Sequence, residues 1–125
     1  MTTLRALLSV VLIAVTVACS GGGAAASATP PAGSATTITA KSSTFDPSTV
    51  TVRAGKPVKV FFKNLDGDPH NVAIYSDASA TTKVFGGDVI TDAATLYEVP
   101  AMAAGSYVFR CDVHPNMKGT VIVSG

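Results

Sequence analysis

The sequence predicts an all-β domain, a sandwich or barrel of about seven to eight short strands. Segments rich in valine, threonine, isoleucine and aromatic residues alternate between apolar and polar positions, which is the period of a half-buried strand. Clusters of glycine, proline and aspartate separate these segments and mark turns. Helical periodicity is nearly absent. These observations favour short antiparallel strands packed in two layers or closed into a barrel.

Seven segments carry the strand pattern, and in chain order they are 36–40, 48–53, 58–64, 71–75, 94–99, 106–111 and 119–123. The second alternates most cleanly, because Val50 and Val52 fall on one face. The turn clusters at 54–57 and 66–69 separate the second, third and fourth segments. Residues 77–87 are the least regular part of the domain, and we expect a loop or a single helical turn there.

The same alternation predicts a hydrophobic core. The inward-facing positions are Val50, Val52, Val58, Val60, Phe62, Val72, Ile74, Leu96, Tyr107, Phe109, Val121 and Val123. Burial of such side chains contributes about 1.5–3 kcal/mol each, which is adequate to offset chain entropy in a small domain. We therefore expect the domain to fold without a metal.

Residues 1–18 are predicted to be a secretory signal. Arg5 supplies a positive charge, and a continuous apolar run extends from residue 6 to residue 18. This run suits the apolar region of a signal and is too short to cross a bilayer comfortably as a helix. The small residues before Cys19 resemble a bacterial lipoprotein cleavage box, although Thr16 stands where leucine is usual. We predict lipidation of Cys19; ordinary cleavage nearby and an uncleaved anchor are the alternatives.

Residues 19–37 are predicted to be a flexible tether, since Gly, Ala, Ser, Thr and Pro dominate and almost nothing can be buried. Residues 38–125 are then the single folded domain. A lipid on Cys19 and a tether behind it would hold a monomeric domain at a membrane surface outside the cytoplasm. The predicted location is the periplasm or the outer face of the cell membrane.

Charge and cysteine content narrow the possible functions. Once Arg5 is removed with the signal, eight basic and eight acidic residues remain, scattered without runs. This balance provides no basic face for nucleic acid. Cys111 is the only cysteine of residues 38–125, so the domain holds no internal disulfide. An unpaired thiol in an oxidising compartment is a liability unless it is protected from reaction or has a function, and metal coordination provides both.

A short segment near the C-terminus carries three candidate metal ligands. Cys111, His114 and Met117 are each separated by two residues. The only other histidine of the chain is His70, which lies between two predicted strands. One thiolate, two imidazoles and a weak thioether form the ligand set that selects copper for one-electron transfer.

Two motifs resemble the cupredoxins, the blue-copper β-sandwich proteins: SYVFRCDVHPNMKG at 106–119 and PHNV at 69–72. The strand pattern of residues 45–55 is also typical of them. The spacing Cys-x-x-His-x-x-Met is the short-loop form, most like amicyanin, whereas plastocyanins carry two more residues before the methionine. The resemblance implies a Greek-key sandwich with one type 1 copper ion. His70, Cys111 and His114 would be the strong equatorial ligands and Met117 the weak axial one.

Three further residues are expected to support the ligands. The resemblance implies that Asn71 ties the loop of His70 to the loop of Cys111, and the alternative is a plain turn residue. Pro69 and Pro115, each beside a histidine, would stiffen both loops through their fixed φ; the alternative is that they are ordinary loop prolines with no role at the site. The third methionine, Met102, is expected to fill a gap in the packing.

The predicted function is one-electron transfer outside the cytoplasm, with redox proteins docking near His114. No nucleophile motif, phosphate-binding loop or paired carboxylates indicate an enzyme. Three alternatives stay open. The same ligands would suit a copper module for delivery or resistance. One cysteine and two histidines also form a catalytic zinc set, although Met117 stands where the zinc-bound water would be. A metal-free interaction domain requires instead that His70, Cys111 and His114 lie apart.

Overall fold

A computed structural model of the protein describes residues 35–125, so the predicted signal, Cys19 and most of the predicted tether lie outside the described residues. The described part folds into nine strands: β1 (Thr36–Lys41), β2 (Thr44–Asp46), β3 (Thr49–Arg53), β4 (Val58–Asn64), β5 (Ala73–Tyr75), β6 (Lys83–Gly86), β7 (Ala93–Val99), β8 (Gly105–Arg110) and β9 (Lys118–Ser124). No helix within this range has the length and apolar character needed to cross a membrane. The prediction of an all-β domain is confirmed.

The strands form two sheets, with the orders β2-β1-β4-β7 and β3-β9-β8-β5-β6. Most neighbours are antiparallel, but β1 runs parallel to β4 and β3 runs parallel to β9. The expectation of antiparallel strands is wrong at these two pairs. Alternation along a strand shows which side chains face the core, but it carries no information about which strand lies beside it.

Two strands were missed by the sequence pattern, β2 and β6. Each has only three or four residues, which is too short to show alternation. The interval 77–87 therefore contains a strand rather than a helical turn, because β6 pairs with β5. At the other end of the domain, β1 begins at Thr36, where the strand pattern of 36–40 begins, and Thr36 pairs with Val60. The folded part therefore starts two residues before the predicted boundary between tether and domain.

The core lies between the two sheets and contains the predicted residues except Leu96 and Tyr107, which are half-buried. In β7 the core-facing residues are Tyr97 and Val99, and the Tyr97 ring stacks on Phe62 with 5.6 Å between ring centroids. Leu96 lies on the opposite face, since a one-residue change of position in a strand reverses the face. Met102 is buried in the core, in agreement with its expected packing role.

Candidate metal centre

The predicted ligands lie on two loops at one end of the sandwich. One loop joins β4 to β5 and contains His70; the other joins β8 to β9 and contains Cys111. β5 and β8 are antiparallel neighbours, and Ala73 at the start of β5 pairs with Arg110 at the end of β8. Residues just before Ala73 and just after Arg110 must therefore lie at the same edge of the sheet. This pairing brings together residues that are 41 positions apart.

The two imidazoles and the thiol converge on one point. The Nδ1 atoms of His70 and His114 are 3.1 Å apart, and they lie 3.7 Å and 3.8 Å from Cys111 Sγ. The point equidistant from these three atoms is about 2.1 Å from each, close to ordinary metal–nitrogen bonds of ≈ 2.0–2.1 Å and metal–sulfur bonds of ≈ 2.3 Å. The three side chains thus fit a single metal ion without rearrangement.

Burial differs among the four predicted ligands. His70 and Cys111 are completely buried, and Met117 is 3 % exposed. His114 is only half-buried, so its ring is the part of the cluster that reaches the surface. Val113 and Pro115 on either side of it are exposed. The cluster is therefore closed to water on the His70 side and open at His114.

Backbone hydrogen bonds hold the cysteine loop in a compact shape. The Cys111 amide donates to the Met117 carbonyl at 3.0 Å, and the Met117 amide donates to the His114 carbonyl at 2.9 Å. Pro115 follows His114 in this turn, a position for which its fixed φ is suited. Met117 thereby returns to the thiol end of the loop, where its buried side chain is available as a fourth ligand.

Asn71 links the two loops, which is the role that the resemblance implies for it. Its Oδ1 accepts a hydrogen bond from the Asp112 amide at 2.8 Å, and its Nδ2 donates to the Gly87 carbonyl at 2.9 Å. The Asn71 side chain is buried, so these bonds have little competition from water. Pro69, by contrast, is exposed beside His70.

Asp112 follows the cysteine but its carboxylate lies away from the sulfur. It accepts hydrogen bonds from Lys83 Nζ at 2.8 Å and from the Tyr75 hydroxyl at 2.5 Å. Burial alone would raise the pKa of Asp112, but the bonds from Lys83, Tyr75 and Asn71 outweigh burial and lower it. The Tyr75 ring also lies 4.7 Å from the Arg110 guanidinium. The cluster that Asp112 and Tyr75 form with these two basic side chains was not predicted, because its residues are adjacent only in the folded protein.

His70 is held by its backbone and by its ring. Its amide and carbonyl both pair with Ile90, at 3.0 Å and 2.9 Å. Its Nε2 lies 3.0 Å from Asp66 Oδ2, on the side of the ring away from Cys111. The amide of Ser43, joined by that of Ser42 and by the His70 ring, lowers the pKa of Asp66 against the opposing effect of burial. Asp66 was interpreted only as a turn residue in the sequence.

The chain resembles known proteins in sequence and in fold. Residues 9–123 match the family described as cupredoxin-like domain. Plastocyanin A/B of Petroselinum crispum is 36 % identical over 86 residues, which cover 64 % of this chain and 87 % of that protein. Amicyanin of Paracoccus versutus is 36 % identical over 74 residues, which cover 59 % of this chain and 53 % of that protein.

Among solved structures, auracyanin A from Chloroflexus aurantiacus, described as a "blue" copper protein, aligns with a TM-score of 0.65 and 22 % identity. The alignment covers 73 % of this chain and 99 % of auracyanin A, and it shows a shared fold. Because the family match extends over most of its length, the protein belongs to the cupredoxin family.

Proposed function

We propose that the protein is an extracytoplasmic type 1 copper protein that carries single electrons between redox partners and is not an enzyme. The observation that carries this proposal is the convergence of His70 Nδ1, His114 Nδ1 and Cys111 Sγ around one point. The similarity to plastocyanin, amicyanin and a "blue" copper protein supports copper as the metal.

The proposed roles follow from the donor atoms. The thiolate of Cys111 and the Nδ1 atoms of His70 and His114 would be the strong ligands of a copper ion, and the Met117 thioether would be a weak fourth ligand. One copper ion held there would supply a one-electron couple between Cu(II) and Cu(I). The surrounding bonds from Asn71, Ile90 and the loop backbone restrain the ligands in place. A site that rearranges little lets the electron transfer with a small reorganisation energy.

The half-buried ring of His114 is the proposed route of the electron. It is the only ligand of the four that reaches solvent, and the neighbouring Val113 is 45 % exposed. An exposed apolar side chain beside the ring favours short-lived contact with another redox protein. We propose that redox partners dock over His114, Val113 and Pro115.

The proposal is tested by adding Cu(II) to the purified metal-free protein and recording absorption and electron paramagnetic resonance spectra. We expect an intense blue band from thiolate-to-copper charge transfer. A colourless Cu(II) protein would contradict it. The copper-delivery alternative is separated by kinetics, since it predicts copper exchange faster than electron self-exchange, whereas an electron carrier shows the reverse.

Replacement of Met117 by leucine should retain copper and raise the reduction potential. Leucine keeps the apolar volume but removes the thioether, whose weak donation stabilises Cu(II). The potential is measured by voltammetry and the copper content by metal analysis. Met102→Leu is the matched control, because Met102 is also buried but belongs to the core at a turn before β8. Equal potentials for both variants, or loss of copper from Met117→Leu, would contradict the role of Met117 as a weak ligand.

The N-terminal segment is proposed to place this domain at a membrane. Residues 1–18 would be removed as a signal, Cys19 would carry lipid, the residues between Cys19 and β1 would be the tether, and the sandwich that begins at Thr36 would be the monomeric copper domain. Mass spectrometry of the protein from cell membranes should show a diacylglycerol on Cys19, and Cys19→Ser should release the protein into the soluble fraction. An unmodified Cys19 in the membrane fraction would contradict lipidation.

A further inference from the structure

The carboxylate of Asp66 joins the buried imidazole of His70 to the turn between β1 and β2. Its Oδ2 lies 3.0 Å from His70 Nε2 and accepts a hydrogen bond from the Ser43 amide at 3.0 Å. Its Oδ1 accepts a hydrogen bond from the Ser42 amide at 2.7 Å. Ser42 and Ser43 form the two-residue turn between β1 and β2, with φ of 52° and 55°. Two left-handed residues in succession orient both amides toward one acceptor, and these bonds compensate for a conformation that favours glycine.

Asp66 is itself held by the structure that positions His70. Its amide donates to Asn64 Oδ1 at 2.9 Å, and Asn64 Nδ2 donates to the Ile90 carbonyl at 2.7 Å. Ile90 is the residue that pairs with the His70 backbone. Asn64 is completely buried. The carboxylate and the imidazole therefore share one rigid support and cannot separate without disturbing it.

The chemistry of this contact determines the proton on the ring. An ionised carboxylate only accepts hydrogen bonds, so the nitrogen facing it must carry the proton. Neutral His70 then has its proton on Nε2 and its lone pair on Nδ1, the atom that faces Cys111 Sγ at 3.7 Å. The opposite tautomer would place a lone pair against the carboxylate and a proton at the metal position.

The same contact places a negative charge beside a ligand. The Asp66 side chain is 17 % exposed and that of His70 is 0 % exposed, so water weakens their interaction little. A carboxylate bonded to a ligand imidazole makes the imidazole a stronger donor. A stronger donor and a nearby negative charge both favour the more positive oxidation state of a bound ion.

We propose that Asp66 is a positioning residue of the metal centre, which fixes the Nε2–H tautomer of His70 and lowers the reduction potential of the bound copper. The second half of this proposal rests on the proposed function, whereas the first half applies to the metal-free protein. This role of Asp66 is distinct from that of the four ligands. It is also distinct from that of Asn71, because none of the hydrogen bonds described for residues 35–125 joins Asn71 to the His70 ring.

The metal-free protein tests the tautomer without any copper. Nitrogen-15 NMR of the unsubstituted protein, recorded at a pH high enough for the His70 ring to be neutral, should show a protonated Nε2 and an unprotonated Nδ1. The Nδ1–H tautomer in that spectrum would overturn the proposal. This measurement needs no variant, so it holds even where a substitution impairs folding, and it is independent of whether the protein is a blue copper protein.

The potential is tested with Asp66→Asn and its matched control Asp68→Asn. Both remove one negative charge from the same loop, but Asp68 is exposed, and only Asp66 contacts the ring. At a fixed potential of the solution, Asp66→Asn should raise the ratio of reduced to oxidised copper about tenfold, which is about 59 mV for one electron. Asp68→Asn should change this ratio by less than about twofold, because exposed charges are screened.

Equal shifts for the two variants would overturn the proposal, since they would show a general effect of charge. A shift of Asp66→Asn toward the oxidised form would also overturn it. Failure of the unsubstituted protein to develop a blue band would instead contradict the proposed function, and the tautomer measurement would still decide the role of Asp66.

Discussion

Replacement of Cys111 by serine should abolish the blue absorption of the copper-loaded protein. The band arises from charge transfer between a thiolate and Cu(II), and serine offers a hydroxyl that stays protonated at neutral pH. Cys111 Sγ is also one of the three atoms, with the Nδ1 atoms of His70 and His114, that converge on the proposed metal position. The effect is measured by recording the visible and near-infrared absorption spectrum after adding Cu(II). Circular dichroism verifies that the β-sandwich has folded.

Cys19→Ser is the matched control, since Cys19 is the only other cysteine of the chain. It should leave the absorption unchanged. A blue band that persists in Cys111→Ser would show that the sulfur is not a ligand, and loss of the band in both variants would point to a general effect of thiol removal.

Replacement of Gly119 by alanine should destabilise the fold more than most surface changes. A Cβ atom at this position would lie 2.5 Å from the Ser48 carbonyl oxygen and still closer to the Phe109 ring. Neither neighbour has room to move: Phe109 is completely buried, and the Ser48 oxygen accepts the Thr120 amide at 2.8 Å. Overpacking of this kind costs about 1–3 kcal/mol, and we expect the upper end of that range.

The free energy of unfolding should be measured on the metal-free protein, because a ligand bound to the folded state raises apparent stability. A loss of about 3 kcal/mol lowers the Tm of a domain this small by roughly 12–24 °C. Gly67→Ala is the control, since a Cβ at Gly67 meets nothing within 4 Å. Its stability should stay within about 1 kcal/mol of the unsubstituted protein. Equal stability of the two variants would contradict the close contact at Gly119.

Much of the fold could be predicted from the sequence because it depends on short-range patterns. The alternation of 48–53 and 58–64 was strong enough to place β3 and β4 and most of their core residues. The same approach was less secure in β7, where Leu96 was chosen in place of Tyr97. Both are apolar enough to be buried, and the choice between them depends on the partner Phe62 in the neighbouring strand.

The candidate ligands were also predictable, since their residue types are rare in this chain. With two histidines, two cysteines and three methionines available, the spacing of Cys111, His114 and Met117 was distinctive. The prediction of Asn71 as a link between loops agrees with its bonds to Asp112. That role was implied by the resemblance to the cupredoxins, because an asparagine that follows a histidine does not by itself predict a contact between two loops.

The amino-acid sequence alone determined the β class, the strand faces and the set of metal-binding residue types, because these follow from composition and from periods of a few residues. Only the tertiary structure decided the two parallel strand pairs, the convergence of His70 with Cys111, and the contacts of Asp66 with the β1–β2 turn. Each of these depends on strand pairing between distant segments. Hydrogen bonds between backbones are almost independent of side-chain identity, so no local pattern of residues specifies them.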